Sequence, residues 1–160
     1  MYICKYFKLE ELIYPELFTA YKNRQNILYN ALDDRILRAA DAIREFIATP
    51  ITINNWHTGG NFKESGLRNM ATTTGAALST HKFGRGLDLK FNSPKWNPEK
   101  LREYMKSIGC FEAGFLNRTD DEAKPFLNMT RIEWMDNMTW FHMDVSNYCN
   151  VDRSIMIVKG

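Results

Sequence analysis

Between residues 83 and 91 the chain alternates, with Phe83, Leu87, Leu89 and Phe91 in one set and Gly84, Gly86, Asp88 and Lys90 in the other. A period of two is the signature of a strand whose successive side chains point to opposite faces. One face of this strand is apolar and needs a core. The other is cleared by two glycines, so Asp88 projects across an open surface. Residues 139–145 repeat the parity, with Phe141, Met143 and Val145 toward a core and Trp140, His142 and Asp144 away from it. If the two strands neighbour in one sheet, Asp88 and His142 share a groove. His81, seven positions before Asp88, reaches that groove by folding back from the loop that precedes the strand.

The rest of the chain supplies what such a sheet packs against. Leu28, Leu32, Ile36, Leu37, Ala40, Ile43 and Ile47 recur every three or four positions, so residues 28–47 read as one amphipathic helix ended by Pro50. Before it, residues 6–13 read as a short strand or turn entering a brief helix stopped near Pro15. The β-branched run at 51–56 predicts a strand, and 57–80, rich in glycine and threonine without periodicity, predicts a long functional loop. A second helix starts at Pro98 and stops at Gly109, and 111–115 and 131–134 read as further short strands. The expected class is α+β: a single domain with a mostly antiparallel sheet and flanking helices. Its N-terminal helical part covers about 1–48 and the site-bearing core about 51–146.

Composition narrows the partners. With 160 residues, 44% of them hydrophobic, the chain has enough apolar surface for one core. A net charge of +2 without a basic run gives no support to nucleic acid as a ligand. The absence of an 18-residue apolar stretch and of a signal-peptide pattern predicts a soluble chain made in the cytoplasm, with no membrane partner. Cys4, Cys110 and Cys149 are too few and too scattered for a disulfide framework and read as idle thiols.

Two imidazoles and a carboxylate form the three-ligand set of a catalytic zinc that keeps its fourth position for water. The plainer alternative has His81 capping a turn, Asp88 solvated on its strand and His142 hydrogen-bonded at the surface. The pattern Ser79-x-His81-x-x-Gly84-x-Gly86-x-Asp88, followed by Trp140-Phe141-His142-x-Asp144, resembles the zinc D-Ala-D-Ala carboxypeptidase and L-alanyl-D-glutamate endopeptidase family. Trp56, Gly59-Gly60 and Gly66-Leu67-Arg68 extend the likeness to the compact variant of phages and prophages, over about residues 51–146. The resemblance implies the hedgehog/DD-peptidase fold, a Zn2+ ion held by His81, Asp88 and His142, and hydrolysis of peptide bonds in peptidoglycan stem peptides. It also implies action at the bacterial wall, either after release as a lytic enzyme or within a virion beside other virion proteins.

One departure matters for mechanism. Better-known relatives carry Glu three residues before the last histidine, where this chain has Thr139, and threonine is no base near neutral pH. Asp144, about 7 Å from His142 along the same strand face, is the first candidate for the base, or else the outer carboxylate that orients the imidazole. Glu133 is the second candidate, provided that the turn at Asp136-Asn137 folds it over the cleft. Arg68 matches the family's arginine that binds substrate carboxylate or supports the oxyanion, and its fork of donors suits that task. Trp140 would floor the cleft, Ser79 would orient His81 or cap its turn, and His57 reads as a loop histidine. Thr139 also keeps open a second function, a non-catalytic zinc-binding virion or structural module.

Overall fold

Two short helices, α1 (Leu9–Leu12) and α2 (Pro15–Ala20), open the fold in a computed structural model that describes residues 1–146 and 151–159. Pro15 starts α2 instead of only stopping what precedes it, because at the first helical position its missing N–H has no partner to lose. The expected helix at 28–47 is divided. Its first part lies in a 3-10 helix, Gln25–Ala31, and the α-helix proper, α3 (Asp34–Ile47), begins where the Asp33 carboxylate accepts the Arg35 backbone N–H. Such a cap is worth about 1 kcal/mol, enough to set the boundary. Leu28 and Leu32 are buried all the same, so the apolar stripe continues across the break.

The sheet contains β1 (Gly86–Leu89), β2 (Arg131–Glu133), β3 (Phe141–Asp144) and β4 (Met156–Val158) in the order β1-β3-β2-β4. β3 pairs antiparallel with both neighbours, and β4 lies parallel to β2. The class is therefore α+β with a four-stranded mixed sheet, of which the sequence left β4 unforeseen. Leu87, Leu89, Ile132, Phe141 and Met143 turn into a core shared with Ile36, Leu37 and Ile43 of α3 and with Leu101 and Met105 of α4 (Pro98–Ser107). No helix among the described residues is long and apolar enough to cross a membrane.

Two expected strands do not form. Residues 51–56 contribute only an isolated bridge from Thr52 to Lys90, since the buried Asn54 side chain bonds the Ile13 carbonyl and the Ser65 N–H and pulls the chain out of line. Residues 111–115 form turns leading, past the left-handed Gly114, into a 3-10 helix at Phe115–Asn117. Phe83 also leaves its predicted face. It ends a 3-10 turn, Thr80–Phe83, and is exposed.

Gly84 closes that turn at φ +65°, a conformation that favours glycine. A Cβ there would meet the Ala31 carbonyl oxygen, and the Gly84 carbonyl itself accepts the Asp33 N–H at 2.9 Å. Gly84→Ala is expected to cost about 2 kcal/mol or more through left-handed strain and steric overlap. Urea unfolding of the metal-free chain measures it, and an unchanged midpoint would contradict the account.

Candidate metal centre

The register of β1 on β3 sets Asp88 directly opposite His142, and the 3-10 turn Thr80–Phe83 carries His81 back over the same sheet face. The open edge of β1 is covered by residues 65–68: the Ser65 carbonyl accepts the Asp88 N–H, and the Arg68 N–H bonds the His81 carbonyl. His81 Nε2, His142 Nδ1 and Asp88 Oδ1 then converge. The two nitrogens lie 3.2 Å apart, and the carboxylate oxygen stands 3.2 Å from His81 and 2.8 Å from His142. All three residues are buried and could together hold a metal ion.

The opposite ring nitrogens explain why these atoms are the ones presented. His81 Nδ1 sits 2.9 Å from the Gly66 carbonyl, which can only accept, so that nitrogen carries the hydrogen and Nε2 keeps its lone pair. His142 Nε2 lies 3.2 Å from Asp144 Oδ2, which leaves Nδ1 free for a cation in the same way. Backbone carbonyls and carboxylates behind imidazoles are the usual means of fixing a ligand's tautomer and tilt. A tetrahedral ion with bonds of about 2.0–2.2 Å needs ligand atoms about 3.3–3.6 Å apart, and this triangle is within a few tenths of an ångström of that along two edges. The donor set could hold a divalent metal ion.

Charge balance points the same way. Burial opposes ionisation of Asp88, yet the hydrogen bond from His142 outweighs it and holds the carboxyl far below its usual range. Burial also opposes a proton on His142, but its bonds to Asp144 and Asp88 prevail and raise it to about 9. His81 is lowered, because burial there outweighs the pull of Asp88. In the metal-free chain His142 is thus the imidazolium that neutralises Asp88, at the position where a cation would sit.

The cleft over this centre is lined by Arg68, Ser79, His81, Asp88, Arg131, Glu133, Trp140 and His142 among others. Asp144 departs from the expectation of an open strand face: it is fully buried and fully engaged. Its Oδ2 takes Nε of Arg131 at 2.7 Å and Nη2 at 2.6 Å as well as His142, and its Oδ1 takes the Ser146 N–H and hydroxyl. Burial opposes its ionisation, but these donors hold its pKa at about 2. Glu133 does reach the cleft, through strand pairing and not through the turn at Asp136-Asn137: Arg131 is opposite Asp144, and further along β2 the Glu133 carboxylate lies 4.0 Å from His142 Nε2. Thr139 is exposed and lines a different cavity beside Phe91, Asn97 and Glu99.

Arg68 is largely spent on structure. Its Nη2 lies 3.0 Å from Asp88 Oδ2 and its Nε donates to the Glu64 carbonyl. Ser79 precedes the turn of His81 without a side-chain cap, and Gly66, not Ser79, orients the imidazole. Trp140 is half-buried on the cleft wall, whereas His57 is exposed and packs edge-on to Trp56. Burial pushes the Cys110 thiol up to about 12 and raises Cys4 further, as suits unreactive thiols. Cys149 lies outside the described residues.

Sequence reasoning missed three contributors and the role of a fourth. Gly66, read only as part of the upstream likeness, orients His81 through its carbonyl, and Ser146 acts through local bonds that leave no motif. Arg102, fully buried, donates to the carbonyls of Glu133, Met138 and Trp140 and so ties down the connection that carries the cleft wall. Arg131 had a readable signal, since it shares a strand face with Glu133 two residues on. Asp144→Asn should weaken metal binding about 10–100-fold by losing the orienting charge behind His142, with titration calorimetry as the measurement and unchanged affinity as the contrary result. Comparison with known protein families, curated proteins and solved structures finds no match for this chain.

Proposed function

We propose that the chain is a zinc-dependent peptidase of the D-Ala-D-Ala carboxypeptidase or L-Ala-D-Glu endopeptidase type, with the hedgehog/DD-peptidase fold, acting on peptidoglycan stem peptides. The observation that supports this most is the convergence of His81 Nε2, His142 Nδ1 and Asp88 Oδ1 at the base of an open cleft, each imidazole fixed from behind. Zinc, when bound by these three, would supply Lewis acidity toward a carbonyl oxygen and toward water.

The chain's own groups divide the remaining work. Glu133, part-exposed on the cleft wall, is the general base: its carboxylate takes a proton from the attacking water and delivers it to the leaving amine. Asp144 is not the base, because every oxygen is engaged and Arg131 stabilises its charge; it holds the ring of His142. Arg68 fixes the orientation of Asp88 from the side away from the histidines. Trp140 supplies an apolar wall against which a stem peptide can lie.

Mass spectrometry of purified muropeptides incubated with zinc-loaded protein tests the reading. Cleavage at a D-Ala or D-Glu bond, abolished by chelation and restored by zinc, is the expected result. One zinc per chain without cleavage of any muropeptide would favour instead the non-catalytic module, and absence of zinc binding would remove both readings.

A further inference from the structure

We propose that Arg131 is the specificity-determining residue of the cleft, binding a free carboxylate of the substrate beside the scissile amide. The inference rests on the peptidase reading above and deepens it. Arg131 and Arg68 are the guanidinium groups in the cleft lining. Arg68 spends Nε on the Glu64 carbonyl and Nη2 on Asp88, its Nη1 is packed against Gly75, and its side chain keeps 11% of its exposure. Arg131 keeps 27%. Both of its described contacts, from Nε and Nη2, go to the one Asp144 oxygen, and among the described residues Nη1 makes no hydrogen bond.

This arrangement holds the guanidinium in place from one side and leaves a donor toward the cleft, a geometry that prepares an arginine for a second carboxylate at little entropic cost. The lysines near the site are otherwise occupied: Lys90 Nζ donates to the Ser65 hydroxyl and Lys82 Nζ to the Thr72 carbonyl. Arg131 and Glu133 lie two residues apart on one strand face, a spacing of about 7 Å. A residue of extended peptide covers about 3.5 Å. A substrate amide at Glu133 therefore places at Arg131 a carboxylate from one or two residues away. A terminal D-Ala carboxylate and the α-carboxylate of a γ-linked D-Glu share this chemistry.

The test uses the zinc-loaded 160-residue chain and synthetic stem pentapeptides in three forms: with every carboxylate free, with the terminal one amidated, and with that of D-Glu amidated. Binding of each peptide and of its cleavage product is measured by calorimetry beside KM and kcat. Wild type should prefer one acid over its amide by about tenfold, the worth of one charge-assisted hydrogen bond, and the amide that suffers identifies the source. Arg131→Gln should bring that ratio close to one, with the loss in KM more than in kcat, while zinc stoichiometry stays at one per chain. Arg131→Lys, which retains a cation for Asp144, should keep an intermediate ratio and carries the test if the glutamine variant does not fold.

An unchanged acid-to-amide ratio in Arg131→Gln, or its loss in Arg68→Gln instead, would overturn the assignment, as would a wild type indifferent to both amidations. Failure of the peptidase reading looks different. No peptide would then be cleaved, while the calorimetric preference for the acid, and its loss in Arg131→Gln, would still report on Arg131.

Discussion

Replacing His142 with alanine is expected to abolish stoichiometric zinc binding and to destabilise the metal-free chain. Structural zinc sites bind with about 10–16 kcal/mol of apparent free energy, so the loss of one of three protein ligands should cost affinity by roughly 10³-fold. The effect on the empty chain has a separate origin. His142 lies between two buried carboxylates, 2.8 Å from Asp88 and 3.2 Å from Asp144, and the imidazolium offsets their charge. Breaking such a buried pair typically costs about 3–5 kcal/mol. His81→Ala isolates the first effect, because His81 is the neutral imidazole and its removal leaves the His142 contacts with Asp88 and Asp144 in place. Both variants should lose zinc, and His142→Ala should melt well below His81→Ala. In wild type, zinc at a thousand times its Kd should add about 4 kcal/mol. Calorimetry and thermal unfolding with and without zinc decide the matter, and equal zinc affinity in wild type and either variant would remove the centre.

Glu133→Gln should give the second large effect, a fall in kcat of about 10²–10⁴-fold on muropeptides with zinc retained. The side chain keeps its volume and its place beside His142 but can no longer accept the proton. Asp144→Asn makes the contrast, since that change should act through zinc affinity. Full turnover by Glu133→Gln would place the base elsewhere, and a fall in zinc content matching the fall in rate would reassign Glu133 to holding the metal.

Strand parity made the heart of the site legible. Two glycines beside Asp88 and the alternation around His142 give a shared face if the strands neighbour, and the register delivers them as direct partners. What parity could not convey is how deep that face lies. Asp144 was expected at an open surface and is fully buried, where Arg131 of the adjacent strand neutralises it. Cross-strand register is a tertiary fact even between consecutive strands, and the pairing of β2 on β3 also decides that Glu133 and not Asp144 faces the cleft. The strand expected at 51–56 failed for a local reason: β-branched residues favour extension, but Asn54 spends its amide on two backbone partners. Leu28 and Leu32 extended the helical stripe past its true start because burial and helix period coincide there while the Asp33 cap interrupts the backbone.

The joint at Gly84 bears on how the molecule can be divided. The sequence suggested one domain with a helical part ending near residue 48 and a site-bearing part beyond it. Yet the turn that carries His81 is clasped between the Ala31 and Asp33 backbone, and residues 65–68, which orient both His81 and Asp88, rest on the Leu12 carbonyl. Grafting residues 51–146 onto another scaffold would leave the histidine turn without its abutment. The smallest portable unit of this centre includes the first helices, so the chain trades modularity for a rigid foundation under its ligands.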